Sequence, residues 1–141
     1  MEKNLKFNSA ICTSRVQSER LLALGLKEET ADMLLSEFDD GSWRPVTFFI
    51  EEPDDSDASL YPEFETIDIP AWSLHRLIEM MPEEICDGLL CIYKDSIRYE
   101  EMIMDRLETD FEVMGENMYE NAISCIEWLI KEGYFNKEYL V

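Results

Sequence analysis

Residues 117–133 read NMYENAISCIEWLIKEG. Tyr119, Ala122, Ile123, Ile126, Leu129 and Ile130 recur three and four residues apart. That spacing puts one broad apolar stripe on a helix and turns the stripe towards a core. Asn117 can accept the unpaired amides of the first turn, with Glu120 at the capping-box position. Lys131 suits the negative end of the helix dipole, and Gly133 can take the left-handed conformation that closes it.

Upstream of this helix the period changes. Residues 89–93 and 97–104 read as two strands of a hairpin, with Lys94-Asp95-Ser96 at the turn. Alternation in the second run is imperfect, because Ile97 and Tyr99 are followed by an unbroken Met102-Ile103-Met104. A helix through residues 100–107 is therefore the rival. A further short strand is expected at 111–114.

The preceding helix is expected over residues 71–81. Trp72, Leu74, Leu77, Ile78 and Met81 form its apolar face. Pro70 can open it, since its missing N–H is not needed there, and Ser73 is a competing N-cap. Pro82 stops it by disfavouring helical angles at the residue before.

The N-terminal third reads as a helical hairpin. Ser14 and Gln17 have capping-box spacing, and Val16, Leu21, Leu22 and Leu24 follow as an approximate apolar face. Gly25 can end that helix, with Leu26 folding back on it. A second helix is expected over residues 28–37, because Ala31, Leu34, Leu35 and Phe38 fall at helical spacing. Asp39-Asp40-Gly41-Ser42 then punctuates the chain. Residues 46–50 follow as a β-branched and aromatic strand that Pro45 begins and Pro53 ends, with a short extended piece near 64–69.

These elements together predict an α+β fold. A small, mainly antiparallel sheet carries the central short helix and the C-terminal helix, with the N-terminal helical hairpin alongside. No repeat or long linker divides the chain, so one acidic domain is expected over residues 1–141. A chain of 141 residues can bury about 70% of the surface its unfolded form exposes, and needs no disulfide or metal to hold it.

Charge is the main oddity. Lys plus Arg number 12 against 32 Asp plus Glu, a formal net charge of −20. Such a chain cannot easily build the basic patch that neutralises phosphates, so direct nucleic-acid binding is not expected. An anionic membrane surface repels it for the same reason. Solubility is the plain consequence of the excess, and beyond that the field favours basic partners or cations. Cys12, Cys86, Cys91 and Cys125 form no CxxC pair. One histidine rules out a histidine-based metal site within one subunit. The first residues lack a signal-like apolar core and no run is long enough to span a bilayer, which makes the cytoplasm the expected compartment.

Three blocks of the chain resemble a known family. They are residues 18–26 with Thr30, Ala31, Asp32 and Met33; residues 70–74 with Leu77, Met81 and Pro82; and Ala122 and Ile123 with residues 126–130. They resemble small uncharacterised proteins from gut anaerobes and their mobile elements, over most of the chain with variable charged stretches between the blocks. The resemblance implies a single domain of this organisation. It implies no catalysis, since that family carries no assigned activity. Helix entry and core packing alone also explain the Trp72-Ser73-Leu74 block.

No catalytic residue, cofactor site or metal site is singled out. Asp54, Asp55 and Asp57 offer hard oxygen ligands. The Pro53 before them and the Ala58-Ser59-Leu60 after them break the pattern of a calcium-binding loop. A solvated acidic loop explains them better. His75 flanks the apolar stripe of its helix, and no flanking signature pairs it with Cys86 or Cys91. No glycine-rich phosphate loop occurs.

The leading functional expectation is a non-enzymatic protein–protein interaction module that binds a basic partner through its acidic surface. The alternative is a hydrolase-like enzyme using carboxylates and a divalent cation. Candidate interaction residues are the acids Asp54, Asp55, Asp57, Glu108, Asp110, Glu112 and Glu116, with Trp43 and Trp128 as aromatic anchors. Trp128 lies off the main stripe of its helix and suits a secondary surface. Ordinary packing also accounts for either tryptophan.

Overall fold

Ser14 starts the first helix as its spacing predicts. In the computed structural model, which describes residues 9–47 and 68–141, Ser14 Oγ accepts the Gln17 amide at 3.2 Å and Gln17 Oε1 accepts the Ser14 amide at 2.9 Å. This capping box opens α1 (Arg15–Ala23). Leu21 and Leu26 are buried, and the Leu26 amide returns to the Leu21 carbonyl.

The expected second helix over residues 28–37 does not form. Glu28–Thr30 is a single 3-10 turn, and Met33–Glu37 is a strand, β1. β1 pairs antiparallel with β2 (Trp43–Thr47) on one side and with β3 (Asp68–Ala71) on the other. The spacing of Ala31, Leu34 and Leu35 suits a helix, but a strand with partners on both edges satisfies the same backbone and sends Leu35 into the core. The Asp39-Asp40-Gly41-Ser42 stretch is the β1–β2 turn, with Gly41 at φ 79° and the Ser42 amide donating to Asp40 Oδ1 at 2.9 Å. The N-terminal helical hairpin is therefore one helix followed by a β-hairpin.

The proline readings shift in the same way. Pro45 lies inside β2 and Pro70 inside β3, and both strands are outer strands of the order β2-β1-β3. An outer strand tolerates a missing N–H. The central helix consequently starts later, as α2 (Leu74–Glu79). Ser73 caps it, accepting the Arg76 amide at 3.1 Å, and Asp32 holds Ser73 in turn by accepting its amide at 2.8 Å and its hydroxyl. Residues 48–50 of the expected strand, Pro53, and the start of the extended piece near 64–69 lie outside the described residues.

A second antiparallel sheet has the order β4-β5-β6-β7, formed by Glu84–Ile85, Gly88–Ile92, Ser96–Ile103 and Arg106–Met114. The rival helix over 100–107 is absent. The chain turns at Met104 and Asp105, and the short strand expected at 111–114 reaches back to Arg106. Tyr99 pairs with Phe111 and Glu100 with Thr109, leaving Asp110 as the extra residue of a β-bulge. One expected sheet is thus two.

The C-terminal helix, α3 (Met118–Glu132), follows the sequence closely. Asn117 Oδ1 accepts the Tyr119 and Glu120 amides at 3.0 and 3.2 Å, and Gly133 closes the helix at φ 80°. The Glu120 carboxylate does not complete the box. It binds Gln17 Nε2 at 2.9 Å and Arg20 Nη1 at 2.5 Å, tying α3 to α1. Ala122, Ile123, Ile126 and Leu129 are fully buried with Trp72, Leu77, Ile97 and Tyr99. The core therefore sits between α3 and one face of the second sheet, and among the described residues no helix packs on the opposite face of that sheet. The architecture is α+β, and no helix among the described residues is long and apolar enough to cross a membrane.

Candidate functional site

Among the described residues, the turn between β6 and β7 holds two of the three non-glycine residues with positive φ, the third being Cys86. Ile103 pairs with Arg106, so Met104 and Asp105 form a two-residue loop, with φ of 48° and 62°. Two positive φ values match the twist of a hairpin, and Asn-Gly is the sequence that adopts them readily. Methionine has no side-chain polar group to favour the left-handed region, and its Cβ is disfavoured there. Met104 is also 93% exposed. Its neighbours across and beside the turn, Met102 at 67% and Leu107 at 57%, are exposed as well. The arm thus ends in apolar side chains presented to solvent.

Below the tip the arm is acidic. Glu101 and Glu108 stand directly opposite each other in the register, a pairing that destabilises a sheet. Partial burial, then repulsion from Asp110, Asp87 and Glu108, holds the Glu101 carboxyl above its usual value. A concavity of about 360 Å³ opens here, lined by Ile85, Cys86, Asp87, Glu101, Asp110, Trp128 and Tyr134. Trp128 stacks on Phe111 at 4.4 Å between ring centroids and leans on Tyr99 and Tyr134 at 6.2 and 5.8 Å. Neither Glu108 nor Asp110 forms an ion pair among the described residues.

The opposite face of the sheet has a polar network centred on Arg98. Arg98 lies 2.9 Å from Glu112 and 3.3 Å from Glu100, and its guanidinium stacks 4.7 Å above the Tyr93 ring. Burial opposes the Glu100 charge, but hydrogen bonds from Tyr93, at 2.9 Å, and from Arg98 outweigh it and hold that carboxyl below its usual range.

The residues singled out in the sequence are therefore dispersed. Trp128 and Asp110 share one concavity, and Glu108 stands across from Glu101 beside it. Glu112, between the core-packed Phe111 and Val113, points the other way to Arg98. Glu116 lines a separate concavity with Asn117 and Tyr119. Trp43 belongs to the other sheet, under the Arg15 guanidinium at 4.8 Å. Asp54, Asp55 and Asp57 lie outside the described residues. Sequence reasoning missed Asp87, Glu101 and Met104. The one available signal for Met104 was the apolar run Met102-Ile103-Met104, which broke strand alternation.

Among the described residues, no three His, Cys, Asp or Glu side chains stand together so as to hold a metal ion. A wider concavity of about 620 Å³ gathers Glu28, Glu29, Asp32 and Asp68 with Arg76. There Asp32 is committed to Ser73, and Asp68 accepts the Ser36 hydroxyl. His75 stands 3.5 Å from Glu79, while Cys86 meets Tyr134 and Cys91 meets the Leu89 carbonyl. Burial pushes the Cys125 thiol up to about 12. No family model matches this chain, and neither curated proteins nor solved structures give a match.

Proposed function

We propose that this chain is a non-enzymatic, cytoplasmic protein–protein interaction module whose contact element is the β6–β7 arm, and that its partner is a basic protein. The observation that carries the reading is Met104, a 93% exposed apolar side chain on a left-handed backbone. A residue that costs stability and stands almost wholly in solvent makes sense as a contact for something else. Methionine suits such a role because its flexible, polarizable side chain adapts to a partner surface.

The acids beneath the tip give the partner its sign. Asp110, Asp87 and Glu108 repel the Glu101 carboxylate in the free protein, and a cationic side chain seated beside it relieves that repulsion. The Trp128 ring beside them adds a face on which a guanidinium or ammonium group is attracted. The family resembled in sequence brings no activity to set against this reading.

An affinity pull-down from the native lysate at low and then high salt, read by mass spectrometry, tests it. The expected result is a basic protein retained at low salt and lost at high salt, because exposed charge contacts are screened. Recovery of nothing above background at either salt counts against the proposal.

A further inference from the structure

Outer strands expose unpaired N–H and C=O groups, and proteins normally blunt them against pairing with other chains. Three of the four outer strands here are blunted by proline or by shortness. β2 contains Pro45, β3 has four residues including Pro70, and β4 has two residues. β7 is longer, with nine residues and neither proline nor glycine, and carries charged side chains and the bulge at Asp110 as its only blunting devices. Among the described residues no strand lies outside it, and no backbone hydrogen bond from another element reaches Arg106–Met114.

Charge selects what can pair there. Besides Arg106 at its start and Glu112, which Arg98 holds, β7 carries Glu108 and Asp110, neither in an ion pair among the described residues, and the whole chain has a net charge of −20. A second copy would bring like charges face to face, which disfavours self-pairing along this edge. A basic strand meets the opposite situation. Leu107 and Met114, 57% and 60% exposed near the two ends of the strand, offer apolar contacts to alternate side chains of an added strand.

We infer that the outer edge of β7 receives an extended, basic segment of the partner as an added antiparallel or parallel strand. This inference rests on the interaction reading above and specifies how the partner is held: main-chain pairing supplies affinity, and the acids supply selectivity.

The test uses the full chain and three probes: a short peptide of alternating Lys and Val, the same peptide N-methylated at every residue, and polylysine. N-methylation keeps the charge and removes the main-chain donors. The plain peptide is expected to bind, and the methylated one roughly tenfold or more weakly. Amides within Arg106–Met114 should gain hydrogen-exchange protection only with the plain peptide. Equal binding of the two peptides without that protection overturns the edge inference and leaves a charge-driven module standing. Binding of polylysine but not of the plain peptide also overturns the edge alone. If none of the three binds, the edge inference and the basic-partner reading fall together.

Discussion

Met104 and Glu101 show how single residues give up stability at the arm. Replacing the loop by Met104→Asn with Asp105→Gly installs residues that adopt positive φ readily, and should raise unfolding stability by about 1 kcal/mol in urea titration. The same change should weaken partner capture, since the exposed methionine is gone. Glu101→Gln should raise the thermal midpoint at pH 7. Its folded carboxyl titrates above the ordinary 4.5, so the wild-type chain is relatively favoured in acid and loses that advantage as pH rises through the folded value. The gap between variant and wild type should therefore open as pH rises above 4.5 and close below it. Asn121 makes the opposite contribution. It is 2% exposed and donates to the Gly115 carbonyl at 2.8 Å. Asn121→Ala leaves that carbonyl unpaired and should cost about 1–3 kcal/mol in the same titration.

Among the elements, α3 was the most legible. Fifteen residues with a regular stripe, an Asn cap and a closing Gly carry enough local information to fix a helix. Asn117→Ala should accordingly cost about 1 kcal/mol of stability in denaturant titration. Residues 28–37 were misread for the converse reason. Ala31, Leu34 and Leu35 fit a helical period, but the state of Met33–Glu37 is decided by β2 and by β3, which lies more than thirty positions downstream. Asp32 likewise finds its role only when Ser73 arrives to be held. The start of α2 moved from Pro70 to Ser73 because Pro70 was taken up by an outer strand. The site was less legible still. That Trp128 and Asp110 share a concavity depends on a bulge at Asp110 that places successive acids on different faces. The sequence carried the charges but no sign of which of them meet.

For the whole molecule, the net charge of −20 sets up a field that favours cations over anions, and the proposed basic partner accords with that field. Long-range self-repulsion should make the folded state more stable as moderate salt is added, while binding to a basic probe weakens over the same range. Opposite responses to one variable separate the two effects in parallel melting and anisotropy titrations. In the polar network on the sheet face away from α3, Arg98 holds both Glu100 and Glu112, and Tyr93 donates to Glu100. The free acids lie on the α3 side of the sheet, around Trp128, so contact is expected at the arm and its β7 edge.

The most direct test of this assignment is site-specific photo-crosslinking in the native lysate. One variant carries the photoreactive side chain at Met104 and another at Val16, which is apolar and 66% exposed on α1. Adducts with a basic protein from position 104, and none from position 16, are the predicted result. Equal adducts from both positions, or adducts from position 16 alone, would contradict the assignment of the β6–β7 arm as the contact element.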